Sequence, residues 1–180
     1  MLMSHKDLIK LVQDGVINAP MENVRGTTID VTLSTMIMVE REHQENIIVD
    51  LMAGESINME FLELDGDGYY DLEPKKFILA STVEVFNLPD NITMEYKLKS
   101  TLARNGLEHL DAKWCDPGWH NSTLTLELTN MCNHHILRLR PGMKIGQVAS
   151  FQHHPVGDAS YAKIGRYNNQ ITTTPSKGVK

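Results

Sequence analysis

The chain is poor in cysteine, with only Cys115 and Cys132 in 180 residues. Two are too few for a disulfide framework, and a reducing cytoplasm is the simplest setting for them. It also lacks any uncharged apolar run approaching ~20 residues, so no membrane span is expected. The opening MLMSHKDLIKLVQDG has no apolar core and no small-residue cleavage site, and it does not read as a secretory signal. The sequons at Asn91 and Asn121 are then chance matches, because glycosylation needs a secretory route. A basic excess is missing as well. The formal net charge of −6 argues against a surface that coats nucleic acid, while leaving room for a small anion held by a few local Lys or Arg residues. No internal repeat or low-complexity segment is evident.

What remains is an ordinary globular composition, 41% hydrophobic and 22% charged, long enough for a single domain with one well-filled core. Ser4 to Gly15 predicts a short helix. Ser4 with Asp7 makes a capping box, Leu8, Leu11 and Val12 form an apolar stripe, and Gly15 is a stop. Strands are expected at 27–34, 36–40, 47–51, 57–64, 76–86, 92–98, 123–129, 135–140 and 145–151, between Gly, Pro, Asn or Asp turns. Many short strands after one helix suggest a jelly-roll or barrel-like β domain, a fold that commonly forms its clefts between subunits. The last dozen residues, rich in Thr, Pro, Lys and Gly, read as a tail.

Several motifs fail on inspection. DGDGYYDLE (65–73) has Tyr69 and Tyr70 where a calcium loop needs a ligand and a glycine, so a hairpin turn is expected there. The pairs His134–His135 and His153–His154 are adjacent in sequence, and neighbours in a strand point to opposite faces rather than to one ion. Neither cysteine has a CxxC partner, and the HxE…PCxxC signature of zinc deaminases is absent.

The segment TLTLELTN (123–130) raises a sharper question. Leu124, Leu126 and Leu128 fall on one face of a strand, and Thr123, Thr125, Glu127 and Thr129 on the other. A carboxylate among threonines is either a solvated edge residue or a placed acid or base. Nearby lie STLARNGLEH (100–109), DAKWCDPGW (111–119) and RPGMKIGQVASF (140–151). Together they supply a hydroxyl and a guanidinium (Ser100, Arg104), an acid in a turn (Asp116) and an acid in a strand (Glu127). Arg104 suits phosphate oxygens, and a carboxylate in a partly dry site can shuttle protons between water and a leaving amine.

Taken together, these segments resemble the dCTP deaminases of the trimeric dUTPase superfamily. The likeness begins weakly at GTTIDVTLS, is strongest from Ser100 to Phe151, and returns at RYNNQITTTPSK (166–177). It implies a mainly β, distorted jelly roll (a dUTPase-like β-clip) with a short N-terminal helix. The chain 1–180 would be one domain with a C-terminal lid from about 158, assembled as a homotrimer with active sites at subunit interfaces. No zinc is implied. Glu127 would be the general acid/base that activates water at C4 of cytosine. Ser100 and Arg104 would bind phosphates or steady the water and the glutamate. Backbone groups around Asp111 and Ala112 would read the pyrimidine edge, and Asp116 would hold the sugar 3′-hydroxyl. Thr101, His109, Trp114 and Gln147 join the substrate-binding set, while Tyr161, Arg166, Tyr167 and Gln170 match the lid. Mg²⁺ would ride on the triphosphate of dCTP, with dUTP as a further candidate substrate and dTTP as a candidate inhibitor.

The sequence departs from the family pattern in four places. Asp111 stands where Thr is usual, and Lys113–Trp114 replaces a small residue or His followed by an aromatic or Arg. The chain is one residue longer between Asp116 and Glu127, and one shorter near Leu107–His109. If the insertion is absorbed in the turn, Glu127 keeps its face; a register slip would reverse it. Three activities therefore stay open at this point: deamination of dCTP, with or without onward hydrolysis to dUMP; diphosphatase action on dCTP or dUTP; and nucleotide sensing without turnover.

Overall fold

The computed structural model describes residues 1–64 and 68–179. Residues 65–67 of the hairpin turn expected within 65–73 lie outside the described residues. Helix α1 (His5–Gln13) forms as its sequence dictates: the Ser4 N–H donates to Asp7 Oδ2 at 2.8 Å, and Leu8 and Leu11 are buried. Gly15, at φ +74°, ends it, because only there can the N–H groups of residues 15 and 16 turn back to the carbonyls of Val12 and Leu11.

Ten strands follow. They are β1 (Thr28–Glu40), β2 (Met59–Glu63), β3 (Tyr70–Leu72), β4 (Phe77–Asn87), β5 (Ile92–Leu98), β6 (Leu107–His109), β7 (Trp114–Cys115), β8 (His120–Asn130), β9 (Leu137–Leu139) and β10 (Lys144–Gln152). Every pairing is antiparallel, in one eight-stranded sheet ordered β6-β8-β4-β1-β10-β5-β7, with β2 added on β1, and a separate β3–β9 pair. This is the expected mainly β, jelly-roll-like fold, with two short helices, α2 (Ser100–Ala103) and α3 (Tyr161–Ile164), beside it.

The strand expected at 27–34 and its successor at 36–40 are one element. No Gly or Pro interrupts Ser34–Thr35, so the chain bends by irregularities at Val31/Thr32 and between Leu33 and Ile37 instead of breaking. The first half of β1 pairs with β10 and the second with β4 and β2, which curls the sheet around its core. The strand expected at 47–51 does not form. Glu40 pairs directly with Met59, so residues 41–58 are a loop with no sheet edge to join, and Ile47, Ile48 and Leu51 are exposed. A β-prone composition without a neighbouring strand does not make a strand.

Ile29, Val31 and Leu33 of β1 meet Ile78 and Ala80 of β4, Leu126 and Leu128 of β8, and Met94 and Val148 of the other half in a single core. The opposite face of β1 is covered too. Asp30 is 1% exposed, and buried Glu84 accepts the Thr32 N–H at 2.8 Å. Among the described residues, no helix is long and apolar enough to cross a membrane.

Candidate active site

The threonine face of β8 forms the floor of a cleft of about 630 Å³. Thr123, Thr125 and Glu127 line it, with Phe77 and Leu79 of β4 beside them. One wall runs from Asp111 to Asp116; the other is built by Tyr161, Tyr167, Gln170 and the tail segment Thr174–Ser176, with Ser56 and Ile57 of the long loop at its rim.

Glu127 keeps the face that the leucine alternation assigns to it. Leu126 and Leu128 are fully buried, whereas the Glu127 side chain is 26% exposed in the cleft. Between Asp116 and Glu127 the ladder accommodates an extra residue at the start of the strand. His120 pairs with Asn87 and Ser122 with Phe86, so Asn121, at φ +47°, is an extra residue bulging out of the ladder. The preceding Asp116-Pro117-Gly118-Trp119 is a tight turn closed by the Trp119 N–H on the Asp116 carbonyl (3.2 Å). Gly118, at φ +86°, is required there: a Cβ would stand 2.0 Å from Ser160 Oγ and 2.9 Å from the Ala162 nitrogen.

Glu127 Oε2 lies 3.2 Å from His109 Nε2, within ion-pair reach, but the approach is misaligned and neither atom completes a hydrogen bond among the described residues. His109 is buried against Tyr96, ring centroids 4.8 Å apart, and Tyr96 in turn fits only because position 146 is glycine, where a Cβ would come 2.1 Å from its ring. Burial, reinforced by the charge of Glu127, pushes the Tyr96 hydroxyl well above its ordinary range. The Leu110 N–H donates to the Glu127 carbonyl at 3.0 Å, tying the Asp111 bend to β8.

Asp111 adopts φ +65°, a conformation that Asp tolerates better than most residues, and Lys113 Nζ meets its carboxylate at 2.5 Å. That hydrogen bond and the lysine's charge hold the Asp111 carboxyl below the usual range. Asp116 is moved the other way: burial raises it, and a hydrogen bond from the Trp114 side chain offsets only part of this. Two acids on one wall are thus pushed apart. Beneath them the buried Cys115 thiol is pushed up to about 12 by desolvation and by Asp116, which removes it as a nucleophile.

The tail is laid along β8 in its own chain. The Thr123 N–H donates to the Gln170 carbonyl (2.8 Å), Trp119 Nε1 to the Tyr167 carbonyl (2.9 Å), and the Thr174 N–H to Thr125 Oγ1 (3.3 Å). The Arg166 guanidinium folds back onto the carbonyls of Lys177 and Gly178. Farther on, Thr173 is 1% exposed and donates to the Met36 carbonyl at 2.7 Å.

The structure therefore gathers Glu127, His109, Asp111, Ala112, Trp114, Asp116, Tyr161, Tyr167 and Gln170 in or against one cleft. It does not bring Ser100, Thr101, Arg104 or Gln147 there, and Arg166 lies behind the lining. Ser100 and Thr101 are exposed on α2, Arg104 is exposed just after its last residue, and Gln147 sits on β10. Lys113, Ser56 and Thr174 line the cleft without having been foreseen. Lys113 could have been read from its spacing to Asp111, but the other two meet the site only through tertiary folding. Among the described residues, no three His, Cys, Asp or Glu side chains converge as metal ligands.

A distorted jelly roll whose cleft sets a carboxylate beside a buried histidine and two further acids offers the groups that acid–base hydrolysis uses. The family model for dCTP deaminase-like proteins matches residues 2–153, and the chain belongs to that family. It is 37% identical over 186 residues to a dUMP-forming dCTP deaminase of Nocardioides sp., and 35% identical over 187 residues to one of Streptomyces coelicolor. Both alignments cover 98% of this chain and 95% of the relative. The fold is also that of a 2′-deoxycytidine 5′-triphosphate deaminase from Agrobacterium tumefaciens, with a TM-score of 0.67 at 14% identity over 85% of this chain. The match spans about half of that longer protein, 48% of its length.

Proposed function

We propose that this enzyme hydrolyses dCTP to ammonia and a uracil nucleotide and carries the product on to dUMP, feeding thymidylate synthesis. The observation that carries the reading is the unpartnered Glu127 carboxylate oxygen at 3.2 Å from His109, in a cleft wide enough for a nucleoside. Glu127 takes a proton from water as the oxygen adds to C4 of cytosine, then returns it so that the amino group leaves as ammonia; dCTP and water give dUTP and ammonia. His109 orients the carboxylate, and the backbone around Asp111 and Ala112 reads the base edge. Asp116 receives the 3′-hydroxyl, with Trp114 bordering it. Tyr161, Tyr167 and Gln170 close over the nucleotide, and Arg166 braces the tail that carries them.

In this reading the chain acts as a homotrimer. Ser100, Thr101, Arg104 and Gln147, which are outside their own cleft, serve the triphosphate in a neighbour's. Mg²⁺ bound together with the substrate would offset the charge of its phosphates. dTTP would compete for the same cleft, and the setting would be the cytoplasm. The dUMP-forming relatives favour this chemistry over diphosphatase action on dCTP or dUTP and over a non-catalytic sensor.

The test is a product analysis of dCTP with Mg²⁺, by anion exchange alongside an ammonia assay. Equimolar ammonia with dUMP and pyrophosphate is expected. If dCMP and pyrophosphate form without ammonia, the chemistry is at phosphorus and the assignment of Glu127 is wrong.

A further inference from the structure

The residues missing from the cleft are not scattered. Gln147 and the start of α2 are both tied to Asp30. Gln147 is the cross-strand partner of Asp30 on β10, on the same face of the sheet, and Lys99, the residue just before Ser100, places its Nζ 2.7 Å from Asp30 Oδ1. Arg25 reaches Oδ2 at 2.8 Å and Lys144 approaches it at 3.4 Å. Asp30 is 1% exposed, while the three cations around it remain partly open to solvent. Burial alone would raise this carboxyl, but the hydrogen bonds from Lys99 and Arg25 outweigh it and hold the group below its ordinary value.

Lys99 is more than a neighbour of α2. Its carbonyl accepts the N–H groups of Leu102 (2.9 Å) and Ala103 (3.1 Å), so it caps the helix, and its own N–H donates to the Ile145 carbonyl at 3.2 Å. α2 is a single turn with no buried residue, and a helix that short has no stability of its own. The Arg104 guanidinium forms no ion pair among the described residues. The anchorage of Lys99 holds the start of the turn, where Ser100 stands, while Leu102 against the core and the Met131 N–H on the Gly106 carbonyl (2.8 Å) hold its end.

We propose that Asp30 is a positioning residue for dCTP turnover, holding Lys99 and through it the α2 turn that presents Ser100 and Arg104. The inference rests on the deaminase reading above.

Three variants test it: Asp30→Asn, Lys99→Met and Lys144→Met, each followed by thermal midpoint, kcat and KM for dCTP, and dCTP affinity by calorimetry. Lys99→Met keeps the aliphatic stem and leaves Asp30 paired with Arg25 and Lys144. It is expected to lose about tenfold or more in kcat/KM, with weaker dCTP binding, because small displacements of a substrate-holding group are costly. Lys144→Met removes another cation from the same carboxylate but leaves Lys99 bound to Asp30. It should lower the midpoint comparably and leave kcat/KM within about threefold of wild type. Asp30→Asn should weaken dCTP binding even though it removes a negative charge. A purely electrostatic role for Asp30 predicts the opposite sign, and tighter binding would overturn the proposal. So would equal kinetics for Lys99→Met and Lys144→Met, a comparison that decides the matter if Asp30→Asn does not fold. Failure of the deaminase reading shows separately, as a wild-type enzyme that releases no ammonia. In that case the ranking of dCTP affinities among the variants still decides the role of Asp30.

Discussion

Glu127 Oε2 and His109 Nε2 stand 3.2 Å apart, facing each other without completing a hydrogen bond. Leaving a buried polar pair unsatisfied costs free energy, and such sites are where a substrate or a reacting water supplies the missing partner. Glu127→Gln keeps the shape of the side chain while removing its ability to accept a proton. Ammonia release from dCTP should fall by about 10²–10⁴-fold in kcat, with dCTP affinity within about threefold of wild type. Steady-state kinetics with a coupled ammonia assay checks this, and full activity in the variant would sink the role given to Glu127.

Arg104 is exposed at the C-terminal end of α2, outside the cleft that holds Glu127 in the same chain. If each site draws these two residues from different subunits, two dead variants should repair each other. Glu127→Gln and Arg104→Ala enzymes, each nearly inactive alone, are mixed, dissociated and reassembled. A random equimolar mixture should recover about one quarter of wild-type activity, since each site then has a one-in-two chance of each intact residue. No recovery from properly reassembled oligomers would place both residues in one chain's site.

The fold was legible where chemistry repeats with a fixed period. The alternation of Leu124, Leu126 and Leu128 assigned Glu127 to the cleft side, and the structure keeps it there. Ser4, Asp7 and Gly15 fixed α1 from both ends. What could not be read was relational. Ile47 to Leu51 has strand composition but finds no edge, because Glu40 pairs directly with Met59. In sequence Asp30 is only one of the polar residues alternating with Ile29, Val31 and Leu33, and folding alone surrounds it with Arg25, Lys99 and Lys144. The site residues near Asp116 were visible through turn chemistry, whereas Thr174 and Ser56 join the lining from distant parts of the chain.

The course of the tail depends on Thr173. Its hydroxyl donates to the Met36 carbonyl at 2.7 Å and lies 3.1 Å from Ser81 Oγ, in a site that excludes solvent. Thr173→Val preserves the volume but leaves buried oxygen atoms without their donor, a loss of about 1–3 kcal/mol. Because the tail is held locally, the loss should appear as local opening more than as global unfolding. Amide exchange across residues 166–179 should speed up about tenfold, with KM for dCTP rising as the wall formed by Tyr167 and Gln170 loosens. Unchanged exchange would show that the bonds made by Gln170 and Thr174 to β8 suffice without Thr173.

The alkaline limit of stability follows from Cys115, beneath the cleft wall. Its thiol is pushed from 9.0 to about 12 by burial and by the charge of Asp116. Between those values the unfolded chain has released the proton and the folded chain has kept it. The folded state then binds more protons, so stability must fall as pH rises through this window, at about 1.4 kcal/mol per pH unit for the one group. Below 9.0 both states hold the proton and the slope vanishes. Tyr96 and Tyr70, both raised by burial from 10.0, add their own losses at higher pH. Cys115→Ala removes only the first component. Urea unfolding from pH 8 to 10.5 should therefore give a shallower decline in the variant above about pH 9, whatever the packing defect costs at neutral pH. Parallel slopes for the two proteins would mean that Cys115 ionises as freely in the folded chain as in the unfolded one, contrary to its complete burial beside Asp116.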